Sequence, residues 1–164
     1  MKLRTILAPL AAMVLAAAAG AQTKISMAGQ CGRPEQQQTL AVPDRPNHSL
    51  VIAQAKCTYS KPWEIAGVQG KDGVPTETQD VSGNASRFRG YYVETMANGD
   101  KIHYRYEGSA TLKDGVPQSV ENKWSAIRGA GKFKGIKAQG TCKGKGTADG
   151  GLTIECEGEY TLPK

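Results

Sequence analysis

Residues 101–113, KIHYRYEGSATLK, decide the fold class. Ile102, Tyr104, Tyr106, Gly108, Ala110 and Leu112 fall on even positions. Lys101, His103, Arg105, Glu107, Ser109, Thr111 and Lys113 fall on odd ones. An alternation of period two gives an extended strand one dry face and one wet face, whereas in a helix the same residues would be scattered all round the axis. Thirteen residues without a break make a long strand, and long antiparallel strands suit a closed barrel.

The same reading extends in both directions. Downstream, Gln118–Arg128 sets Val120, Trp124 and Ala126 against Glu121, Lys123 and Ser125. Lys132–Lys143 sets Ile136, Ala138, Gly140 and Cys142 against Lys137, Gln139 and Lys143, and Gly151–Leu162 sets Leu152, Ile154, Cys156, Gly158, Tyr160 and Leu162 against Thr153, Glu155, Glu157 and Glu159. Upstream, strands are expected at Ser49–Tyr59, Thr76–Val81 and Arg87–Met96. The links at Asn98-Gly99-Asp100, Asp114-Gly115, Gly129-Ala130-Gly131 and Asp149-Gly150-Gly151 use residues that tolerate positive φ, which makes neighbouring strands antiparallel hairpins. Glycine is about 12% of the chain, against a usual share of about 7%. The expectation is an all-β, antiparallel, up-and-down barrel over residues 49–164, following a proline-broken arm or loop at residues 22–48.

Residues 1–21 have the three parts of an export signal. Lys2 and Arg4 are followed by the apolar run Ile6–Ala18 and the small-residue site Ala19-Gly20-Ala21. Cleavage after Ala21 would leave a secreted or periplasmic chain beginning at Gln22, with no transmembrane segment. Losing Lys2 and Arg4 lowers the formal net charge from +6 to +4. The remaining charge is dispersed. Its one cluster (Lys132, Lys134, Lys137, Lys143 and Lys145) has Phe133 alone as an aromatic companion, which argues against nucleic acid as a partner and for a solvated basic edge. Four cysteines in an exported chain imply two disulfides. Cys142 and Cys156 flank the turn at Asp149 nearly symmetrically and are expected to pair, leaving Cys31 for Cys57. There is no CxxC and the histidines are His48 and His103, so neither a metal nor a cofactor is expected.

Lys71-Asp72-Gly73-Val74-Pro75 recurs as Lys113-Asp114-Gly115-Val116-Pro117, and both copies are expected to be turns. The sequence names no reaction. Gly129-Ala130-Gly131-Lys132-Phe133-Lys134-Gly135 has neither the spacing nor the following helix of a phosphate-binding loop. His48 lies in proline-rich sequence and is expected at the surface. Asn47-His48-Ser49 and Asn84-Ala85-Ser86 fit the glycosylation sequon, which matters in a glycosylating host.

Residues 124–140, WSAIRGAGKFKGIKAQG, resemble the glycine-rich hairpin of the allene oxide cyclase barrels and the related dirigent proteins, with Gly129, Gly131, Phe133, Gly135 and Gly140 carrying the likeness. Glu157-Gly158-Glu159-Tyr160 and the segment Tyr91–Gly108 extend it. The resemblance implies an eight-stranded antiparallel barrel with an apolar interior. In the plant cyclases that interior holds and cyclises a fatty-acid-derived epoxide, but their catalytic residues have no alignable counterparts here.

Any chemistry therefore belongs inside the barrel, where an eight-stranded sheet is either filled or holds one small ligand. Tyr92, Tyr104, Tyr106, Trp124 and Tyr160 are expected to line it. Glu94 and Asn122 share the inward parity and need partners when buried. The leading expectation is a non-enzymatic exported barrel that binds a small apolar molecule or serves the cell envelope. The rival is an isomerase or cyclase acting on an oxylipin-like substrate through Glu94 and Asn122. A third reading is a partner protein that works through its surface.

Overall fold

A computed structural model describes residues 22–163. The expected signal peptide lies outside the described residues. Apart from one 3-10 turn at Gly131–Phe133, the regular structure of the described residues is antiparallel β-sheet: β1 Thr23–Cys31, β2 Gln36–Ala41, β3 His48–Gln54, β4 Cys57–Lys61, β5 Glu64–Ile65, β6 Val68–Ser82, β7 Ala85–Met96, β8 Lys101–Lys113, β9 Val116–Gly129, β10 Lys137–Gly146 and β11 Leu152–Thr161. Eight of them close a ring in the order β6-β4-β1-β11-β10-β9-β8-β7, and the β6–β7 pairing completes it. Closure leaves none of these eight with a free edge, which removes the usual liability of a long sheet.

The parity read from residues 101–113 holds around the wall. Ile102, Tyr104, Ala110, Val120, Trp124, Ala138 and Cys156 are buried, while Arg105, Glu107, Glu121, Lys123, Lys143 and Glu155 are exposed. The outward residues form cross-strand rows of alternating charge. Arg89 faces Glu107 and Glu107 faces Lys123, while Glu121 faces Lys143 and Lys143 faces Glu155. Such pairs each contribute roughly 0.2–1 kcal/mol. The lysines of β10 thus serve a paired wall and not a basic edge, because β10 bonds to both β9 and β11.

Both disulfides form in the expected pairing. Cys142 faces Cys156 in register across β10 and β11, and Cys31 faces Cys57 across β1 and β4.

The first half of the chain departs from expectation in several places. The arm expected at 22–48 instead contributes β1, a wall strand between β4 and β11 with Ile25 and Met27 in the core. Two inward apolar residues in nine are too few to show a period. The strand expected at Ser49–Tyr59 is interrupted at Ala55-Lys56. Its first part, β3, pairs with β2 and with the far half of β6, and its second part, β4, belongs to the ring. The β2–β3 hairpin therefore projects as a flap, with Leu40, Leu50 and Ile52 exposed on its outer face. At its base the His48 ring, expected at the surface, is largely covered and bonded to Asp44 and Asp80.

The repeated pentapeptide adopts two conformations. The second copy is the β8–β9 turn, with Asp114 at φ 52° and Gly115 at φ 78°. The first copy lies inside β6, paired with β4 and β7. Gly73 there is fully extended strand, and it is needed for space: a Cβ would overlap the Tyr92 hydroxyl.

One end of the barrel is plugged. Trp63 and Ile65 from the β4–β6 link meet Met96 and Ile102, and Phe133 and Ile136 from the β9–β10 link close over them. The link at 131–136 replaces the first residues of the strand expected from Lys132. It turns inward because Gly131 and Gly135 take positive φ, which lets Phe133 reach the core.

Candidate functional site

Above the plug the barrel is hollow. A cavity of about 240 Å³ runs from the aromatic floor formed by Trp63, Tyr92, Tyr104 and Trp124 to a rim at the exposed Gly32, Pro34 and Gly150. Phe88, Tyr106, Ala53, Ala110, Val120 and Ile154 form its walls, and all four cysteines of the two disulfides border it. Both tryptophans of the chain are in the lining. The Trp124 indole lies on Gly140 and Gly158, which face each other across β10 and β11, and a Cβ at either would strike the ring. The rings pack at tilted or edge-on angles, with Trp63 and Trp124 centroids 5.2 Å apart and Tyr104 and Trp124 centroids 5.5 Å apart. Edge-on packing is the preferred arrangement for aromatic pairs.

Of the expected lining residues, Tyr92, Tyr104, Tyr106, Asn122 and Trp124 border the cavity. Tyr160 does not. Its hydroxyl accepts a 3.0 Å bond from the Ala66 amide at the plugged end. Glu94 also lies behind the wall. It is fully buried, and its carboxylate collects three neutral donors: Trp63 Nε1 at 2.6 Å and Tyr59 Oη at 3.0 Å on Oε1, and Tyr104 Oη at 2.8 Å on Oε2. Burial pushes its pKa up to about 7, the three hydrogen bonds oppose that rise, and Asp72 adds to it. Tyr59 links Glu94 to the cavity, because its hydroxyl lies 2.7 Å from the Tyr92 hydroxyl. Burial holds the Tyr59, Tyr92, Tyr104 and Tyr106 phenols well above their ordinary value, so all four are neutral.

Three polar atoms on residues of the cavity wall have no partner among the described residues. Ser86 Oγ, Asn122 Oδ1 and Trp124 Nε1 are buried without a hydrogen bond, and all three residues line the same space. A buried polar group left unbonded costs roughly 1–3 kcal/mol.

Glu77, Trp63 and Tyr59 were not foreseen from the sequence. Glu77 borders the cavity, accepting 2.7 Å bonds from Tyr106 Oη and Gln79 Nε2. It escaped notice because β6 reverses the usual parity and sends Pro75, Glu77 and Gln79 inward. Trp63 had one available signal: a tryptophan amid Lys-Pro and Ala-Gly link sequence must find cover somewhere.

No protein-family model matches the sequence, nor does any curated protein. Solved structures do resemble it. A protein of unknown function from the DUF3224 family of Shewanella oneidensis superposes with a TM-score of 0.50 at 11% identity, covering 88% of this chain and 99% of its own. A pterocarpan synthase dirigent protein superposes with a TM-score of 0.50 at 12% identity, covering 98% of this chain and 100% of its own. A second such dirigent protein gives 0.49 at 12% identity, with 88% and 97% covered. At these identities the likeness is one of fold alone, a small antiparallel β-barrel.

Proposed function

We propose that this barrel binds one small, largely apolar molecule inside its hollow end, acting as a carrier or sequestering protein outside the cytoplasm. The observation that carries the reading is the aromatic-lined cavity itself, whose wall includes Ser86, Asn122 and Trp124, each with a buried polar atom that has no partner among the described residues. A pocket with apolar walls and a few convergent polar groups is the usual form of a small-molecule site. Its volume suits a single ring with a short substituent. Kinship with the allene oxide cyclase barrels belongs to the same proposal.

Export belongs to it as well. Two disulfides fit an oxidising compartment, and among the described residues no helix is long and apolar enough to cross a membrane. Amino-terminal sequencing of protein from its own host tests cleavage after Ala21.

Native mass spectrometry of that same protein tests the binding. The reading expects a species heavier than the disulfide-bonded chain by one small molecule, shed on collisional heating. A single species at apo mass with no affinity for any amphipathic probe would remove it.

A second reading, isomerisation or cyclisation of the guest, is favoured by Glu94, a buried carboxyl with a pKa near neutrality. Its path to the cavity runs through Tyr59 and Tyr92. Turnover of a bound substrate that is lost in Glu94→Gln while binding persists would establish it.

A further inference from the structure

We propose that the guest is a small organic cation, an ammonium or comparable protonated nitrogen on a largely apolar body, seated against Glu77 and the aromatic faces of the cavity. This rests on the reading above that the cavity holds a ligand.

The argument begins from a contrast of charge. The chain carries 21 Lys and Arg against 15 Asp and Glu, so a random assortment would place basic groups inside at least as often as acidic ones. The opposite is found. Among the described residues that border the cavity, Glu77 alone is charged. The next acidic group inward is Glu94, whose three bonding partners are all neutral. Asp72, near Glu94, adds a further negative charge. Arg33, close to the rim, commits its guanidinium to the Asp149 carbonyl, with a 3.0 Å bond.

A carboxylate on a cavity wall that bonds to neutral donors alone leaves its charge free to attract a cation. Glu77 has two neutral donors, Tyr106 and Gln79, but no cationic partner among the described residues. A cation entering the cavity supplies one. The walls add to this. Tyr92, Tyr104, Tyr106, Trp63 and Trp124 surround the same space, and the face of each ring is the negative end of its quadrupole. Aromatic enclosure next to a carboxylate attracts ammonium groups and repels carboxylates.

The unbonded polar atoms sharpen the chemical class. Trp124 Nε1, a buried donor on a wall residue, would take an acceptor on a guest that turns the ring toward it, such as a hydroxyl, ether or carbonyl oxygen. Asn122 Oδ1 is an acceptor and suits an N–H or O–H. The guest is therefore an amine that also carries an oxygen, for which an aryl-alkyl amine with a ring hydroxyl is the simplest form.

The test uses recombinant, disulfide-bonded protein at apo mass in calorimetric titrations with three probes that share one body: tyramine (cationic), 4-ethylphenol (neutral) and 3-(4-hydroxyphenyl)propionate (anionic). The expected result is that tyramine binds about tenfold or more tighter than 4-ethylphenol, and that the propionate gives no binding heat. Glu77→Gln is expected to abolish the preference for tyramine over 4-ethylphenol. The comparison of probes on the unmodified protein stands even if that variant folds poorly. Equal or tighter binding of the neutral or anionic probe overturns the cation and leaves the binding reading intact. Silence from all three probes also overturns it, and the binding reading is then decided separately by the mass of host-purified protein.

Discussion

Trp63 Nε1 donates a 2.6 Å hydrogen bond to Glu94 Oε1 across 31 residues of sequence, so a residue of an irregular link and a residue of a wall strand together set the polar floor of the barrel. No cation joins them. Glu94 is held in the folded state near pKa 7, above its ordinary 4.5, so the folded chain binds this proton more tightly than the unfolded chain. The stability it contributes is complete below pH 4.5 and is lost as pH rises through about 7. The change is roughly 3 kcal/mol by linkage. Thermal unfolding followed from pH 4.5 to 8 should show a decline over that window which Glu94→Gln lacks. Parallel curves for the two proteins would mean that Glu94 is ionised throughout.

Gly73 and Gly115 occupy equivalent places in the repeated pentapeptide and should respond differently to alanine. At Gly73 a Cβ would overlap the Tyr92 hydroxyl and ring, forcing the floor to repack at about 1–3 kcal/mol. At Gly115, with φ 78° and open space around it, the loss is backbone strain of about 1 kcal/mol. Gly73→Ala should also lower affinity for any cavity ligand, whereas Gly115→Ala should not. Denaturant melts with ligand titrations on the same samples separate the two.

Trp124→Phe and Asn122→Leu each remove an orphaned polar atom while keeping most of the side-chain volume. The unliganded variants should be as stable as the parent to within about 1 kcal/mol, or more stable, because no hydrogen bond is lost. Binding should weaken by about tenfold for each. Reduced stability with unchanged binding would show that these atoms serve the fold.

Cys142 and Cys156 close a loop of 14 residues and lie in the cavity wall. Replacing both with alanine should lower stability by about 3 kcal/mol. It should also speed ligand release, because β10 and β11 would be joined near the rim by backbone bonds alone. Stopped-flow displacement measures the release rate, which should rise in this pair more than in a variant destabilised equally at the plugged end.

The sequence made the second half of the barrel legible and much of the first half obscure, for one physical reason. Strands β8 to β11 present apolar and charged residues on alternate faces, so Tyr104, Trp124 and Cys156 could be placed inside from the pattern alone. β1 has only Ile25 and Met27 in the core to show, and β6 sets polar residues on both faces, Thr76 and Thr78 outward and Glu77 and Gln79 inward, so period two disappears. The candidate site was visible where it relied on parity, as at Tyr92, Tyr104, Tyr106, Asn122 and Trp124. It was invisible where it relied on tertiary closure: Tyr59 and Trp63 reach Glu94 because β4 and β7 both pair with β6, and Gly70 of β6 leaves room for Tyr59 and Glu94 to meet over it. Tyr160 had the right parity but the wrong height, a coordinate that sequence spacing does not report.

The central claim is a hollow, polar-edged interior, and a high-resolution crystal structure of host-purified protein tests it most directly. The account predicts ordered non-protein density in the cavity, with atoms within hydrogen-bonding distance of Trp124 Nε1, Asn122 Oδ1 and Ser86 Oγ. Side chains collapsed into that space, with Trp124 Nε1 bonded to another residue of the chain, would contradict it.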